Sequence, residues 1–378
     1  MIKAIIILAI GWGLFFVGQM KRYRQDKRVL ACLLVYMVAT YAFCNTGNDV
    51  LNYINRYENG IYGMAPLFDI AMQFFKAANV PFVVFKLILG VIFRALLYKS
   101  VALCTENVTM VLALIWVFPF PGAITQIRNG LAAAIVLYSV VIYLRGGRYS
   151  TIKYVLGVLI ASTIHPTMLF YLAFVLAKWG IRWRMPFKVM LVAMLVVLVH
   201  LCVSENLLYV LASRIITNPK YLAYFDFSQA VSADMLNWKG KLMPMLGQLT
   251  GYLSFHLIYQ RLRRGVHDCR MQGITLQNSV FGIEQLDMVQ FMQILLLTML
   301  PLYLRTPTYF RMFKNMIPLI HIVSAQYLLF AKETGVDLRQ ADTRHKFVAL
   351  CTILAQFVVT YADDGSIFGG AAGFSFFI

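Results

Sequence analysis

Long apolar segments separated by basic connections constrain this chain more than any other feature of its sequence. Apolar stretches long enough to cross a bilayer as helices fill most of the 378 residues, and lysine and arginine crowd into alternate connections. The first basic connection, residues 21–28, lies between two such stretches. Because basic loops stay on the cytoplasmic side, the pattern assigns a side to every later loop. The sequence therefore predicts an all-α, polytopic transmembrane bundle with a single domain, residues 1–378.

The composition agrees with a membrane protein and argues against other classes. The chain is 60% hydrophobic and 13% charged, whereas a soluble domain is about a quarter charged. Its net charge of +18 is spread over many short loops, so we expect no nucleic-acid partner. The six cysteines form no C-x-x-C pair, and no metal or nucleotide motif occurs, so we expect neither a metal nor a cofactor.

Segments of suitable length for spanning helices recur along the chain, because about 20 helical residues cross the hydrocarbon core. We predict about ten of them. They are residues 2–20, 29–44, 81–99, 107–121, 123–144, 186–212, 241–260, 283–304, 308–330 and 346–362. Residues 2–20 have no A-x-A cleavage site, and we expect them to be a retained first helix.

Residues 151–177 form an apolar segment that His165-Pro166 interrupts. If this segment crossed once, the later basic loops would fall outside. If it dips in and returns, the cytoplasmic loops hold about twice as many lysines and arginines as the external ones. The positive-inside rule therefore favours a re-entrant or broken pair of helices meeting near His165. Irregular backbone at that depth needs protein or a wet cavity beside it, so we expect His165 to face a cavity.

The same topology leaves three sizeable external segments: residues 45–80, residues 213–240, and residues 305–308 with the helix start that follows them. Residues 66–79 within the first have apolar residues at helical spacing and are too short to span. This pattern is typical of a helix that lies in the external interface.

A polar cluster follows the Pro-Gly break at the outer end of segment 123–144. Thr125, Arg128 and Asn129 share one helical face at i, i+3 and i+4 spacing, and Gln126 is adjacent. Further along the chain, Arg305 and Arg311 flank the start of segment 308–330. A cation at a helix amino terminus opposes the helix dipole, which favours an anion bound there. The alternative is that these arginines extend to lipid headgroups without binding a substrate. This alternative is weakest for Arg128.

Residues 45–57 are polar and aromatic and lie just outside the second segment. Asp49, Tyr53 and Tyr57 are four residues apart and align if this stretch is helical. Carboxylate, amide and aromatic groups together suit a sugar, although an interfacial aromatic belt remains an equal alternative. Residues 218–224 in the large external loop, with Tyr221 and Tyr224, have a similar character.

Four segments in this order resemble motifs of the EpsG family of Wzy-like polysaccharide polymerases. Gly47-Asn48-Asp49-x3-Tyr53-x3-Tyr57 resembles the family's G-[TN]-D-x3-Y-x3-Y. The other three are Gln126–Ala132 (Q-x-R-[QN]-x-[LI]-A), Ala161–Thr167 (A-S-x-x-H) and Tyr309-Phe310-Arg311 with Pro318 (Y-F…P). The motifs span residues 40–320 approximately.

The resemblance implies a GT-C-like glycosyltransferase of the bacterial inner membrane. Such an enzyme transfers glycan from a polyprenyl pyrophosphate to the terminal sugar of another lipid-linked repeat unit on the external face. It works beside a flippase and a chain-length regulator. Arg128, Arg305 and Arg311 would stabilise the pyrophosphate without a metal. His165 or Asp49 would be the general base, with His165 preferred.

The remaining residues of the motifs are candidates for glycan binding. They are Tyr53, Arg56, Tyr57, Gln126, Asn129, Tyr221, Tyr224 and Tyr309. The competing hypotheses are a transporter or flippase of an anionic or lipid-linked substrate and a membrane-bound acyltransferase. The product class stays open among O-antigen, capsule and exopolysaccharide.

Overall fold

The described part of the chain is helical throughout and contains no strand. In the computed structural model the described residues are 26–43, 48–63, 65–117, 119–182, 238–273, 281–301 and 309–333, with isolated positions within 13–20 and 192–222. The predicted helices at 2–20, 186–212 and 346–362 lie outside these ranges almost entirely.

Twelve α-helices and one long 3-10 helix are numbered here in chain order within the described residues. They are α1 Lys27–Phe43, α2 Asn48–Asn59, α3 Pro66–Ala77, α4 Phe82–Ala102, α5 Val108–Val117, α6 Phe120–Thr125, α7 Ile127–Arg145, α8 Ser150–Ile164, the 3-10 helix Pro166–Val175, α9 Leu176–Arg182, α10 Trp238–Met271, α11 Ile283–Leu297 and α12 Phe310–Glu333.

Among the described residues one helix, α7, is long enough and apolar enough to cross a membrane, judged by its length and composition. In addition, 78% of its apolar stretch is buried inside the protein. Helices α4, α10 and α12 are longer but carry more charges. The count of ten spanning helices and the GT-C-like architecture therefore remain predictions.

Connections predicted to be cytoplasmic meet at one end of the described bundle. Arg145 Nη1, at the end of α7, donates to the carbonyl of Leu103 after α4, at 2.6 Å. Gln326 Nε2, late in α12, donates to the carbonyl of Cys104 at 2.6 Å. Loops that the charge pattern assigns to one side are thus neighbours in the fold.

The segment around His165 is an antiparallel hairpin. The hydroxyl of Tyr154 donates to the carbonyl of Tyr171 across it. At its open end, Lys178 Nζ lies 3.4 Å from the hydroxyls of Ser150 and Thr151. The chain therefore returns to the end from which it started, as the predicted re-entrant pair requires. The returning arm is a 3-10 helix because Pro166 follows the extended residue His165 and interrupts the α-helical bonding.

The region after Pro119 corrects one expectation. Thr125, Arg128 and Asn129 were expected on one helix, but the chain breaks at Gln126, whose φ and ψ are −100° and 63°. Thr125 belongs to the short α6, and its hydroxyl donates to the Gly122 carbonyl at 3.3 Å. Two helices starting at 120 and 127 replace the single start expected near 123, since the prolines and Gly122 favour a separate turn.

The helix predicted within residues 66–79 is confirmed as α3, Pro66–Ala77. Phe68 and Met72 are buried on one side, whereas Leu67, Ile70 and Phe74 are 41%, 60% and 69% exposed. These three recur at helical spacing and form an outward apolar stripe. Its insertion into a lipid interface stays a prediction.

Candidate functional site

Four separate elements contribute residues to one place, opposite the end of the bundle where the basic connections meet. Helix α2, the start of α7, the tip of the hairpin and the start of α12 contribute Tyr53, Arg128, His165 and Arg311, respectively. The charges of Arg128 and Arg311 each act on both Tyr53 and His165. Residues more than 250 positions apart in sequence thus form one cluster, which we call the arginine cluster.

Arg128 is oriented by Tyr53. Its Nε donates to the Tyr53 hydroxyl at 3.0 Å, and its guanidinium carbon lies 5.5 Å from the centre of the same ring. Phe68 of α3 is on another side, with its ring centre 6.0 Å away. Arg128 follows directly after the break at Gln126, where the first N–H groups of α7 have no intrahelical acceptors. The guanidinium and the helix start therefore both favour an anion.

Tyr53 is buried and stands between Arg128 and Asp49. Burial raises the pKa of the Tyr53 phenol above its usual value, Arg128 acts in the opposite direction, and Asp49 raises the pKa further. The phenol is therefore protonated at neutral pH. Because its oxygen accepts from Arg128, its own proton is available to donate to a sugar or phosphate oxygen.

Gln126 connects the break before α7 to Arg311 on α12. With its amide oxygen directed at Arg311, Gln126 accepts from Nη2 at 3.2 Å and from Nε at 3.3 Å. Gln126 is 9% exposed, so this contact is shielded from solvent. The unusual backbone at Gln126 thus serves to place an acceptor that orients the second arginine.

His165 occupies the tip of the hairpin, in extended conformation between α8 and the 3-10 helix. Its Nδ1 lies 2.7 Å from the hydroxyl of Thr167. The imidazole is 8% exposed. In the tautomer whose Nδ1–H donates to Thr167, Nε2 is the nitrogen that can take a proton from a substrate.

Asn129, the residue after Arg128 on α7, forms a reciprocal amide pair with Asn315, which is one turn after Arg311 on α12. Asn129 Nδ2 donates to Asn315 Oδ1 at 3.0 Å, and Asn315 Nδ2 donates to Asn129 Oδ1 at 3.2 Å. Both side chains are buried. The pair joins α7 to α12 and therefore sets the distance between Arg128 and Arg311. Asn129 was expected to bind glycan, and in this structure its amide is engaged by Asn315.

A double-mutant cycle tests this pair. Asn315→Ala leaves the Asn129 amide buried without its partner, so we expect it to lower the free energy of unfolding by about 1–3 kcal/mol. Asn129→Ala should cost a similar amount. The double variant should cost clearly less than the sum, because the interaction is lost only once. Denaturation of the purified protein in detergent measures all three, and strictly additive losses would contradict the pairing.

Two residues expected to bind glycan have other contacts. The Tyr57 hydroxyl donates to the Val80 carbonyl at 2.6 Å, and its ring stacks on Phe85 at 5.6 Å. Arg56 Nη2 donates to the Tyr62 carbonyl at 3.2 Å. Both side chains therefore hold α2 against the following loop and α4.

The other predicted glycan-binding and pyrophosphate-binding residues are less defined. Tyr309 is buried immediately before α12. Arg305, Tyr221 and Tyr224 lie outside the described residues.

Two buried cations near the cluster were missed by sequence reasoning as site residues. Lys314 is on the same helix as Arg311, three residues later, and is 8% exposed. Arg94 lies inside the apolar α4 and is 3% exposed, and its guanidinium carbon is 4.3 Å from the centre of the Phe120 ring. A charge deep in an apolar segment is costly and usually functional, which is the signal that would have identified Arg94.

The arginine cluster brings together two positive charges, the phenol of Tyr53 and the imidazole of His165. Within the described residues no group of three or more His, Cys, Asp or Glu side chains converges to hold a metal. The two arginines can stabilise negative charge on a phosphate leaving group, and His165 can accept a proton from a hydroxyl. Asp49 lies on α2, one helical turn before Tyr53.

Comparison with known proteins gives one match. A family model described as the EpsG family matches residues 28–361 of the chain. No curated protein and no solved structure matches.

Proposed function

This chain belongs to the EpsG family, and from that membership we propose that it polymerises lipid-linked oligosaccharide repeat units into polysaccharide. The family consists of membrane proteins of polysaccharide biosynthesis. The proposal extends this to a polytopic protein of the bacterial inner membrane whose site faces the periplasm or exterior. The product is an O-antigen, a capsule or an exopolysaccharide, and a flippase and a chain-length regulator are the proposed partners.

One observation supports this proposal most strongly: Arg128 and Arg311 lie together with His165 and Tyr53, four residues from four separate elements. A pyrophosphate leaving group needs its developing negative charge stabilised more than it needs a proton. Two guanidinium groups beside a helix start supply this stabilisation. Arg305 is proposed to contribute as well.

We assign the proton transfer to His165 on the basis of its anchoring to Thr167. The acceptor hydroxyl oxygen forms the new bond to the anomeric carbon of the donor glycan, while its proton moves to Nε2 of His165. The bond from the anomeric carbon to the pyrophosphate oxygen breaks, and its electron pair leaves with the polyprenyl pyrophosphate. Tyr53 and Asp49 are proposed to bind and orient sugar hydroxyls. Gln126 orients Arg311, and Tyr57 and Arg56 are not included in the substrate-contacting set.

Reconstitution tests the assignment directly. Purified protein in detergent, supplied only with polyprenyl-pyrophosphate-linked repeat units, should produce a ladder of polymer lengths on a gel. A transporter or flippase would leave the repeat units unpolymerised but would move them across a liposome membrane. An acyltransferase would instead change the mass of the product by an acyl group. Absence of a ladder with protein that retains its helical content would contradict the polymerase assignment.

A further inference from the structure

The returning arm of the hairpin turns one face toward the bundle. As a 3-10 helix it has three residues per turn, so every third side chain points the same way. Met168, Tyr171 and Phe174 follow this spacing and are fully buried. Leu169, which is outside this series, is 48% exposed. The 3-10 winding that follows Pro166 therefore directs Tyr171 into the protein.

The Tyr171 hydroxyl reaches α12 beside Arg311. It donates to the carbonyl of Met312, the residue after Arg311, at 2.6 Å. The Asn315 side chain hydrogen-bonds to the same hydroxyl, and Asn315 belongs to the amide pair with Asn129. One phenol group thus joins the hairpin directly to α12 and, through Asn315, to α7.

Tyr171 is held by its backbone as well as by its side chain. The hydroxyl of Tyr154, on the first arm of the hairpin, donates to the Tyr171 carbonyl. Both arms are therefore connected to α12 at this point, six residues after His165 at the tip. Because the hairpin carries His165 and α12 carries Arg311, this connection sets the distance between those two side chains. A misplacement of about 1 Å between reacting groups can slow a reaction by about 100-fold.

We propose that Tyr171 is a positioning residue, which keeps His165 in place relative to Arg311 by bonding to the backbone of α12. Tyr171 does not touch the substrate in this role and acts only through His165. The inference rests on the proposed function for the chemistry of His165 and deepens it. It makes the contact between the hairpin and α12 a determinant of the rate of chain growth, in addition to the residues of the arginine cluster.

Tyr171→Phe removes the hydroxyl and keeps the ring. We expect kcat for chain growth to fall by about tenfold, because a misplaced base loses part of its advantage. The affinity for inorganic pyrophosphate should stay close to that of the wild type, because the pair of Asn129 and Asn315 still joins the helices of the two arginines. Polymer formation and pyrophosphate binding by the purified protein measure the two quantities. Equal losses in both would overturn the proposal, since they would assign the hydroxyl to the arginines.

The matched control is Tyr143→Phe. Tyr143 is buried near the other end of α7, and its hydroxyl donates at 3.0 Å to the carbonyl of Val175, where the 3-10 helix ends. The variant removes the same group from the same kind of bond to the same hairpin, but at a place ten residues after His165. It should keep the wild-type kcat. An equal loss of kcat in both variants would contradict the proposal, because any loosening of the hairpin would then be enough.

Combining Tyr171→Phe with His165→Ala tests whether Tyr171 acts through His165. Once the imidazole is absent, loss of the Tyr171 hydroxyl should not lower kcat further, because there is no base left to position. If the losses of the two single variants multiply in the double variant, Tyr171 acts independently of His165 and the proposal is wrong.

Hydrogen exchange separates this inference from the proposed function, because it requires no catalytic activity. Mass spectrometry of the purified protein in detergent should show several-fold faster exchange of the amides in residues 161–168 in Tyr171→Phe, but not in Tyr143→Phe. Unchanged exchange in α4 shows that each variant is folded. If exchange at the tip rises in this way but the wild type forms no polymer, the polymerase assignment fails and the positioning of His165 by Tyr171 stands. If the wild type forms polymer and Tyr171→Phe changes neither kcat nor exchange, the positioning role fails and the polymerase assignment stands.

Discussion

Replacing Arg128 by alanine is expected to reduce the rate of polymer formation by about 100- to 1,000-fold, the usual effect of removing one donor from a preorganised anion site. The contact that makes Arg128 specific is the bond from its Nε to the Tyr53 hydroxyl at 3.0 Å, which directs the rest of the guanidinium toward the cluster. Arg128→Lys should recover little activity, because an ammonium group cannot bind Tyr53 and a phosphate with the same planar geometry. Polymer produced per unit time from purified repeat units measures the effect.

The matched control is Arg148→Ala. Arg148 is exposed between α7 and α8, at the opposite end of α7, and its guanidinium lies 4.8 Å from the centre of the Tyr149 ring. This variant removes the same charge from the chain but not from the cluster, so it should keep polymerisation within about twofold of the wild type. Similar losses in Arg128→Ala and Arg148→Ala would show that net charge, and not the cluster, determines activity.

The second large effect is expected for His165. His165→Ala should lower the rate constant for chain growth by about 100- to 10,000-fold, since a positioned general base contributes this much. Binding of pyrophosphate should change far less, because the two arginines remain. The proposal therefore predicts a loss in kcat that is much larger than the change in affinity for pyrophosphate.

Two variants show whether the base is His165 or Asp49. Asp49→Asn should reduce the rate by about tenfold or less if Asp49 only orients sugar, as the loss of an orienting hydrogen bond implies. His267→Ala, which removes an exposed histidine near Asp268 at the far end of α10, should have no effect. If Asp49→Asn abolishes growth and His165→Ala does not, the roles are reversed.

The cluster explains why polar groups sit at the ends of elements that are otherwise apolar. Each arginine is oriented by a neutral acceptor and not by an acid: Arg128 by the Tyr53 phenol and Arg311 by the Gln126 amide. A carboxylate in either place would neutralise the charge that an anionic substrate needs. Orienting through neutral groups keeps the full positive charge available for the ligand.

Hydropathy and charge patterning predicted much of this architecture from the chain alone. Residues 81–99 and 308–330 became α4 and α12, residues 66–79 became α3, and the hairpin turns at His165 as expected. The grouping of the basic connections at one end also followed from the positive-inside rule. These features depend on local composition and on alternation along the chain, which can be read without knowing any contact.

The contacts between residues of different helices could not be predicted from hydropathy and charge. Helices α4 and α7 are apolar nearly all round, so their sequences do not indicate which face meets which neighbour. The pairing of Asn129 with Asn315, and the packing of Tyr57 against Phe85 instead of toward a sugar, both depend on those rotations.

The amino-acid sequence by itself determined a helical membrane protein of the EpsG family, the turn at His165 and the position of Arg128 at the start of an apolar helix. The tertiary structure alone decided that Tyr53 orients Arg128, that Gln126 orients Arg311 and that the buried Arg94 packs against the ring of Phe120. The reason is physical: periodicity and charge act within a segment, whereas a binding site is made by the rotation and depth of several segments relative to one another.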